Sequence, residues 1–159
     1  MGLISYIKKG TEKRTYYFVV HEIYLILFFL TINRINMSAK ELVQQAYDFF
    51  GKGDMESFMN LLHDDVTWVF PGDKHPLSGT HKGKQNLMAN MSKIPGLWDN
   101  FHVEPEFMIS EGNKVFCKVN ATADGMETIF GHYFEIKDDK ASLMMTFDDS
   151  LSMVNAMKK

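Results

Sequence analysis

Four segments in the second half of the chain share one pattern of apolar and polar residues. Apolar and polar residues alternate along 101–110, 114–123, 126–136 and 141–149, with Val103, Phe107 and Ile109 predicted on one face of the first. Side chains alternate between the two faces of a strand, so this pattern is typical of half-buried strands. Short turns rich in Gly, Asp and Asn join the segments. The sequence therefore predicts an antiparallel meander of four long strands.

Helices and one further strand are predicted before this meander. A helix begins after Ser38, because Ser38 and Glu41 form a capping-box pattern ahead of apolar residues at helical spacing. Two more helices are predicted over 55–62 and 84–93, and residues 66–70 (VTWVF) are predicted to form a strand. Helices followed by a meander indicate an α+β fold, with the helices on one face of a curved antiparallel sheet.

The beginning of the chain differs in character from the remainder. Residues 8–14 are basic, and residues 16–32 are almost wholly apolar. Three interpretations stay open for this segment: a dispensable extension or misassigned start, a membrane anchor, and a signal sequence that lacks a small-residue cleavage site. The sequence thus predicts an apolar extension over 1–36 and one domain over 37–159, cytoplasmic unless residues 16–32 tether it to a membrane.

Charge and cysteine content exclude several functions. The 159 residues carry a formal net charge of −3 and show no basic cluster after residue 37, so nucleic acid is not an expected partner. Cys117 is the single cysteine, which rules out an internal disulfide and a thiolate zinc site. The sequence contains no nucleotide-binding or metalloprotease motif, and no cofactor is expected.

His132 is the first candidate for chemistry. Strand alternation places it on one face with Phe130, Phe134 and Ile136. Desolvation on an apolar face lowers the pKa of a histidine, which is the environment of a tuned acid–base group. The alternative is a core histidine bonded to a backbone carbonyl, and the residues alone leave both interpretations open.

Asp148 is the second candidate, because it lies at the end of the last predicted strand. A carboxylate at this place could orient His132 or act as a base on a substrate. It could instead cap a helical turn at the C-terminus, a role equally open to Asp149.

Five aromatic residues from different predicted elements are candidates for the wall of a ligand pocket. Pockets are lined mostly by apolar and aromatic side chains with a few polar groups. The alternative is that these residues only fill the core. The candidates are Tyr47, Trp68, Phe70, Trp98 and Phe130.

The loop histidines point to no metal site. His75 and His81 lie in a segment rich in Gly and Pro, and a metal would need further ligands, such as Asp73, in matching geometry. We therefore expect solvated side chains at both positions and no bound metal.

The order of elements and three segments resemble a known family. The segments are AKELVQQAYDFFGKGDMESFMNLLHDDVTWVFPG, the loop PLSGTHKG, and FGHYFEIKDDKASLMMTFDDS. They are similar to the SnoaL-like branch of the nuclear transport factor 2-like superfamily over about residues 37–157, which leaves the N-terminal extension outside. Members include polyketide cyclases, ketosteroid isomerases and non-catalytic binders, so the fold alone does not give the function.

The resemblance implies a cone-shaped α+β fold with a deep hydrophobic cavity, and homodimerisation through the sheet. The general-base Asp of the ketosteroid isomerases precedes the Pro that ends the first strand, where this chain has Phe70 before Pro71, so that base is absent. Their second, proton-donating Asp falls on the strand of His132, and their first-helix Tyr corresponds to Tyr47. The Asp-Arg-Asp chemistry of epoxide hydrolases is excluded, because no arginine follows Arg34.

We therefore expect a protein that binds a small hydrophobic molecule in a cone-shaped cavity. The first hypothesis is an isomerase, cyclase or lyase in which His132 exchanges a proton with a carbonyl substrate and Asp148 assists. The alternative is a non-catalytic ligand-binding or dimerisation module.

Overall fold

The computed structural model describes residues 21–22 and 37–159 of the chain. The predicted extension over 1–36, with its apolar run at 16–32, lies outside the described residues apart from residues 21–22. Among the residues that the structure describes, no helix is long and apolar enough to cross a membrane.

The first two helices begin at the caps that the sequence predicts. Helix α1 (Ala39–Gly51) starts at Ser38, whose Oγ accepts a hydrogen bond from the Glu41 amide while the Glu41 carboxylate accepts one from the Ser38 amide. Helix α2 (Met55–Asn60) starts at Asp54, whose carboxylate accepts a bond from the amide three residues on. These bonds satisfy amides that the first turn of a helix leaves unpaired, and both predicted starts are confirmed.

The chain enters its first strand earlier than the sequence predicts. Strand β1 (Leu62–Phe70) begins where the second helix was expected to end, and it buries Val66, Trp68 and Phe70 on one face as predicted. The physical reason is the cap at Leu61, where the helix ends and Leu62 turns its side chain fully into the core.

The remaining elements follow the predicted order with two additions. A short strand and a one-turn helix occupy segments that were expected to be loop and turn. In chain order the elements are β2 (Gly79–Lys82), α3 (Lys84–Met91), α4 (Ile94–Leu97), β3 (His102–Glu111), β4 (Lys114–Ala123), β5 (Met126–Lys137), β6 (Lys140–Phe147) and α5 (Ser150–Asn155). Asp149 caps α5 by accepting a hydrogen bond from the Ser152 amide, so the capping role falls to Asp149 and not to Asp148.

The six strands form one open sheet in the order β2-β1-β6-β5-β4-β3. Strands β3 to β6 pair antiparallel, which confirms the predicted meander. Strand β1 runs parallel to β6, with Trp68 opposite Met144, so the prediction of a wholly antiparallel sheet is wrong at this junction. Parallel neighbours are joined by a long crossover and not by a hairpin turn, so no local turn signal marks the pairing.

An irregularity in β3 reverses part of the predicted alternation. The pairing with β4 shifts between Pro105 and Phe107. Val103 is buried before the shift, whereas Phe107 and Ile109 after it are 48% and 62% exposed and Met108 takes the buried side. A bulge inserts one residue and so moves the following side chains to the opposite face of the sheet.

The core lies between helix α1 and the inner face of the sheet. Helix α1 packs against β3, β4 and β6. Further register shifts in β1 and between β5 and β6 bend the sheet around the helix, because bulges increase local twist. The predicted α+β arrangement, with helices on one face of a curved sheet, is confirmed.

Candidate ligand cavity and its polar groups

An apolar cavity opens between helix α1 and the inner face of the sheet. Its volume is about 60 Å³, and the space that includes its open mouth measures about 590 Å³. Four of the predicted aromatic residues, Tyr47, Trp68, Phe70 and Phe130, line it together with His132. Among the described residues that line the cavity there is no Asp, Glu, Asn, Gln or Ser. The cavity therefore suits an apolar body with very few polar contacts.

His132 is held by a long-range contact to helix α1. Its Nδ1 atom lies 2.6 Å from the Tyr47 hydroxyl oxygen, and the two rings are nearly parallel, with an angle of 4° between their planes. The two residues are 85 positions apart in the chain. The helix thus fixes the orientation of the histidine that the strand places on the inner face.

Burial dominates the electrostatics of His132. Desolvation lowers the pKa of His132 to about 4, and the negative charge of Asp148 opposes this effect without overcoming it. His132 is therefore neutral at pH 7. A neutral imidazole has one nitrogen that donates a hydrogen bond and one that accepts. The role of Nδ1 in the contact to Tyr47 therefore determines whether Nε2 is a donor or an acceptor.

Tyr47, the partner of His132, and the neighbouring Cys117 are also withdrawn from solvent. Burial raises the pKa of Tyr47, and the neighbouring Cys117 raises it further. Burial also raises the pKa of the Cys117 thiol to about 11. Cys117 is fully buried opposite His132 in the β4–β5 pairing, so it stays a protonated packing residue and no thiolate forms near neutral pH.

A second polar pair lies beside His132. Thr146 is the direct partner of His132 in the β5–β6 pairing and lines the same cavity. The Trp68 indole N–H donates a hydrogen bond of 3.1 Å to the Thr146 hydroxyl oxygen. The polar atoms of the cavity therefore come as two pairs, Tyr47 with His132 and Trp68 with Thr146.

Asp148 is not part of the cavity wall. Its Oδ2 accepts a hydrogen bond of 2.7 Å from His75 Nε2, and its Oδ1 accepts one of 2.6 Å from the Ser150 hydroxyl. The side chains of His75 and Asp148 are 0% and 3% exposed. The expectation of a solvated His75 is therefore wrong, because a buried carboxylate pairs with it. Asp148 acts on His132 through its charge and makes no hydrogen bond to it among the described residues.

The other predicted residues are also placed by the structure. Trp98 is fully buried but does not line the cavity, because its indole N–H donates to the Met153 carbonyl and its ring packs near His75 and Phe101. His81 is half-buried, and its Nε2 donates to the Leu77 carbonyl, so the expectation of a solvated side chain fails here too. Within residues 21–22 and 37–159 no group of three or more His, Cys, Asp or Glu is placed to hold a metal ion.

Two residues with polar roles were missed in the sequence. Thr146 had a usable signal, because it lies two positions after Met144 and so shares the inner face of its strand. Its position opposite His132 depends on strand register, which the residues alone do not give. His75 had no signal, because its partner is 73 positions away and follows the last strand.

Comparison with known proteins agrees with this architecture. Residues 43–144 match the family model of the SnoaL-like domain. A search of curated proteins finds no match to the chain. The structure of TerC, co-crystallised with polyporic acid, has a TM-score of 0.68 at 23% identity and covers 74% of this chain and 96% of TerC.

Two further solved structures share the fold. An NTF2-like protein of Burkholderia pseudomallei has a TM-score of 0.67 at 21% identity, over 76% of this chain and 98% of its own. A candidate ketosteroid isomerase of Kribbella flavida has a TM-score of 0.61 at 18% identity, over 69% of this chain and 76% of its own. At these identities the likeness concerns the fold alone. The family model spans more than half of the sequence, and the chain belongs to the SnoaL-like domain family within the NTF2-like fold.

Proposed function

We propose that this SnoaL-like domain binds a small hydrophobic carbonyl compound in the cavity and that His132 exchanges a proton with it. The observation that supports the proposal is the contrast between an almost wholly apolar wall and a neutral histidine held at that wall by Tyr47. An apolar pocket with a few convergent polar groups and a histidine of strongly shifted pKa is the usual sign of a ligand site.

Asp148 has an indirect part in this proposal. It is bonded to His75 and Ser150 and does not touch the cavity, so it contributes only a negative charge that raises the pKa of His132 against burial. Tyr47, Trp68, Phe70 and Phe130 would contact the apolar body of the ligand. Trp98 would support the structure behind the cavity and make no ligand contact.

A second candidate function is ligand binding without reaction. The lining residues that the structure describes include no carboxylate, and Phe70 stands before Pro71, where the ketosteroid isomerases that the chain resembles have their base. His132, with its pKa lowered to about 4, is a weak base for removing a proton from carbon, and the lining residues offer no carboxylate to assist it. Binding alone therefore needs fewer groups than catalysis.

One experiment separates binding from catalysis. The protein is mixed with small apolar ketones, and with polyporic acid, the compound in the TerC crystals. Binding is read from a rise in melting temperature and from NMR shifts of His132. Catalysis is read from exchange of the α-hydrogens of a bound ketone with deuterium of the solvent, with His132→Gln as control. Binding without exchange would favour the second candidate, and no binding by any compound would contradict both.

We also propose that the domain forms a homodimer through the outer face of the sheet. Five large apolar side chains on β3 to β6 are 38–62% exposed: Phe107, Ile109, Phe116, Ile129 and Phe147. Phe116 lies over Gly131, where an added Cβ would come within 2.9 Å of its ring, and Phe147 pairs directly with Gly131. Such a contiguous apolar face is typical of a protein interface.

The dimer is tested by light scattering during size-exclusion chromatography. Wild type should elute as a dimer, and Phe147→Lys should shift it toward the monomer. Glu56→Lys on the exposed side of helix α2 makes a larger change of charge, +2 against +1, away from this face and should leave the dimer intact. A monomeric wild type would contradict the proposal.

The cellular location is a further part of the proposal. We place the domain in the cytoplasm, with tethering to a membrane through residues 16–32 as the alternative. Expression of residues 37–159 tests the role of the extension, since this range forms a compact unit with its own core. A folded, ligand-binding domain made from 37–159 would support the view that residues 1–36 are dispensable for the site.

A further inference from the structure

The contact between Tyr47 and His132 carries information about the position of a proton. The Tyr47 oxygen lies 2.6 Å from His132 Nδ1. Hydrogen bonds from O–H donors range from about 2.5 to 3.0 Å, whereas those from N–H donors to oxygen begin at about 2.7 Å. The short distance therefore fits a phenol that donates its hydrogen to Nδ1.

We propose that Tyr47 fixes His132 in the tautomer with its proton on Nε2, so that the cavity presents an N–H donor beside the Thr146 hydroxyl to an acceptor oxygen of the ligand. This inference rests on the proposed ligand-binding function and names the polar chemistry of that site. Tyr47 is then a positioning residue for His132, and His132 and Thr146 are the residues that donate hydrogen bonds to the acceptor oxygen of the ligand.

The contacts of His132 point to an Nε2 atom that is open to the cavity. The hydrogen bond that His132 makes within the described part of the chain is the one at Nδ1. No buried side-chain nitrogen or oxygen of the described residues lacks a hydrogen-bond partner, so an unbonded Nε2 must retain accessible surface. Because His132 lines the cavity, this surface faces the space that a ligand would occupy.

The second donor lies directly across the sheet. Thr146 pairs with His132 in the β5–β6 register, and both side chains line the cavity. The Thr146 oxygen already accepts the Trp68 indole N–H at 3.1 Å, so its own hydroxyl hydrogen is free to rotate toward a ligand. Trp68 thus has the same positioning role for Thr146 that Tyr47 has for His132.

These donors select a chemical class of ligand. The described residues that line the cavity offer no carboxylate or amide oxygen to a donor group of a ligand, and burial disfavours a cationic group without a partner. A carbonyl or quinone-type oxygen on an apolar skeleton can accept hydrogen bonds from both donors. Such a ligand has no polar hydrogen of its own that would be left without an acceptor. We therefore assign to the site an uncharged apolar compound with an acceptor oxygen, polarised by His132 and Thr146.

The test compares two ligands that differ in one acceptor. The probes are α-tetralone and its exocyclic-methylene analogue, in which a C=CH₂ group replaces the C=O group at nearly the same shape. Affinities are measured by calorimetry on the full chain. Wild type should bind the ketone about fivefold to tenfold more tightly, the ratio that one or two net hydrogen bonds supply. His132→Phe should remove most of this preference while the analogue still binds.

Tyr47→Phe tests the positioning role. The tautomer of His132 is read by long-range proton–nitrogen NMR on isotope-labelled protein, which distinguishes a protonated ring nitrogen from an unprotonated one. Wild type should show the proton on Nε2, and Tyr47→Phe should show a mixture of tautomers and a reduced ketone preference. Tyr133→Phe is the matched control, because its hydroxyl donates to Glu135 instead and should leave both readouts unchanged.

The outcomes separate this inference from the proposed function. If neither probe binds, the proposed function fails and the inference about its ligand fails with it. If both probes bind with equal affinity, or if wild type carries the proton on Nδ1, the inference alone is overturned. A ketone preference that depends on His132, with the proton on Nε2, supports it.

Discussion

Two histidines on the inner side of this domain, His132 and His75, have opposite relations to their surroundings. His132 lines the cavity and makes one hydrogen bond among the described residues, at Nδ1 with Tyr47. His75 lies outside the cavity lining and uses both ring nitrogens: Nδ1 accepts from the Leu77 amide at 3.3 Å, and Nε2 donates to Asp148 at 2.7 Å. One histidine has an open nitrogen, and the other has none.

The number of bonded ring nitrogens decides which of these two histidines is available for chemistry. A histidine with both nitrogens bonded within the protein holds a loop in place and has no atom to offer a ligand. A histidine with one nitrogen facing a cavity remains free to bind. Both histidines are largely withdrawn from bulk solvent, so burial alone does not distinguish them. The number of ring nitrogens without a hydrogen-bond partner in the protein does.

Removing the carboxylate from the buried pair of His75 and Asp148 is expected to have the largest effect on stability. Asp148→Ala leaves His75 Nε2 without a partner at a site where the His75 side chain is 0% exposed. The variant loses both charge-assisted hydrogen bonds that the carboxylate accepts, from His75 and Ser150, which costs about 3 kcal/mol or more of unfolding free energy, measurable by urea denaturation.

Two further variants keep this prediction specific. Asp148→Asn retains an acceptor oxygen for His75 and should lose less than half as much stability. Asp149→Ala removes the cap of helix α5 and should cost about 1 kcal/mol. An Asp148→Ala protein within about 0.5 kcal/mol of wild type would show that the pair is not what holds the loop.

Acid should act next most strongly, through His132. The pKa of His132 is about 4 in the folded protein and 6.5 in an ordinary setting, so the unfolded chain binds a proton before the folded one as the pH falls. Stability from this residue is complete above about pH 6.5 and is lost toward pH 4, by about 3 kcal/mol in total. Urea unfolding across this range would measure the loss.

His132→Gln supplies the control for the acid effect. The variant has no imidazole to protonate, so the difference between wild type and variant isolates the contribution of this one residue. The stability gap between the two proteins should shrink in favour of the variant as the pH falls from 6.5 to 4. Parallel curves over that range would mean that His132 titrates normally in the folded state.

The second polar pair of the cavity should matter less. Thr146→Val keeps the shape of the side chain but leaves the Trp68 indole N–H without its acceptor. The expected loss is about 1–2 kcal/mol, because the cavity allows a water molecule to replace part of the bond. Thr146→Ser retains the hydroxyl and should be closer to wild type, and an equal loss for both variants would point to packing as the cause.

An exposed ion pair gives the smallest expected effect. Lys118 Nζ lies 2.6 Å from Glu106 Oε2, but the two side chains are 32% and 45% exposed. Glu106→Gln should change the unfolding free energy by about 0.5 kcal/mol or less, because water screens exposed charges. A loss comparable to that of Asp148→Ala would mean that pairing, and not burial, sets the cost.

The sequence was sufficient for the features that depend on neighbouring residues. The caps at Ser38 and Asp54, the meander and the inner face of β1 all follow from spacing and turn chemistry over a few positions. The α+β class and the family follow from the order of the helices and strands along the chain.

The remaining features depend on contacts that no local pattern encodes. The parallel pairing of β1 with β6 joins distant parts of the chain, and the bulge after Pro105 moves Phe107 and Ile109 to the outer face. The partners of His132 and His75 are 85 and 73 positions away. The residue types at the site could therefore be predicted from the sequence. Which histidine contacts Tyr47 and which contacts Asp148 could not be predicted.

Leu77 connects the two histidine environments through a single residue. Its side chain lines the cavity, its amide donates to His75, and its carbonyl accepts from Asn90 and His81. A molecule that fills the cavity against this side chain also restrains the segment that follows Pro71. Hydrogen exchange at the Leu77 amide should therefore slow on ligand binding, which makes one backbone hydrogen an occupancy sensor that needs no label on the ligand.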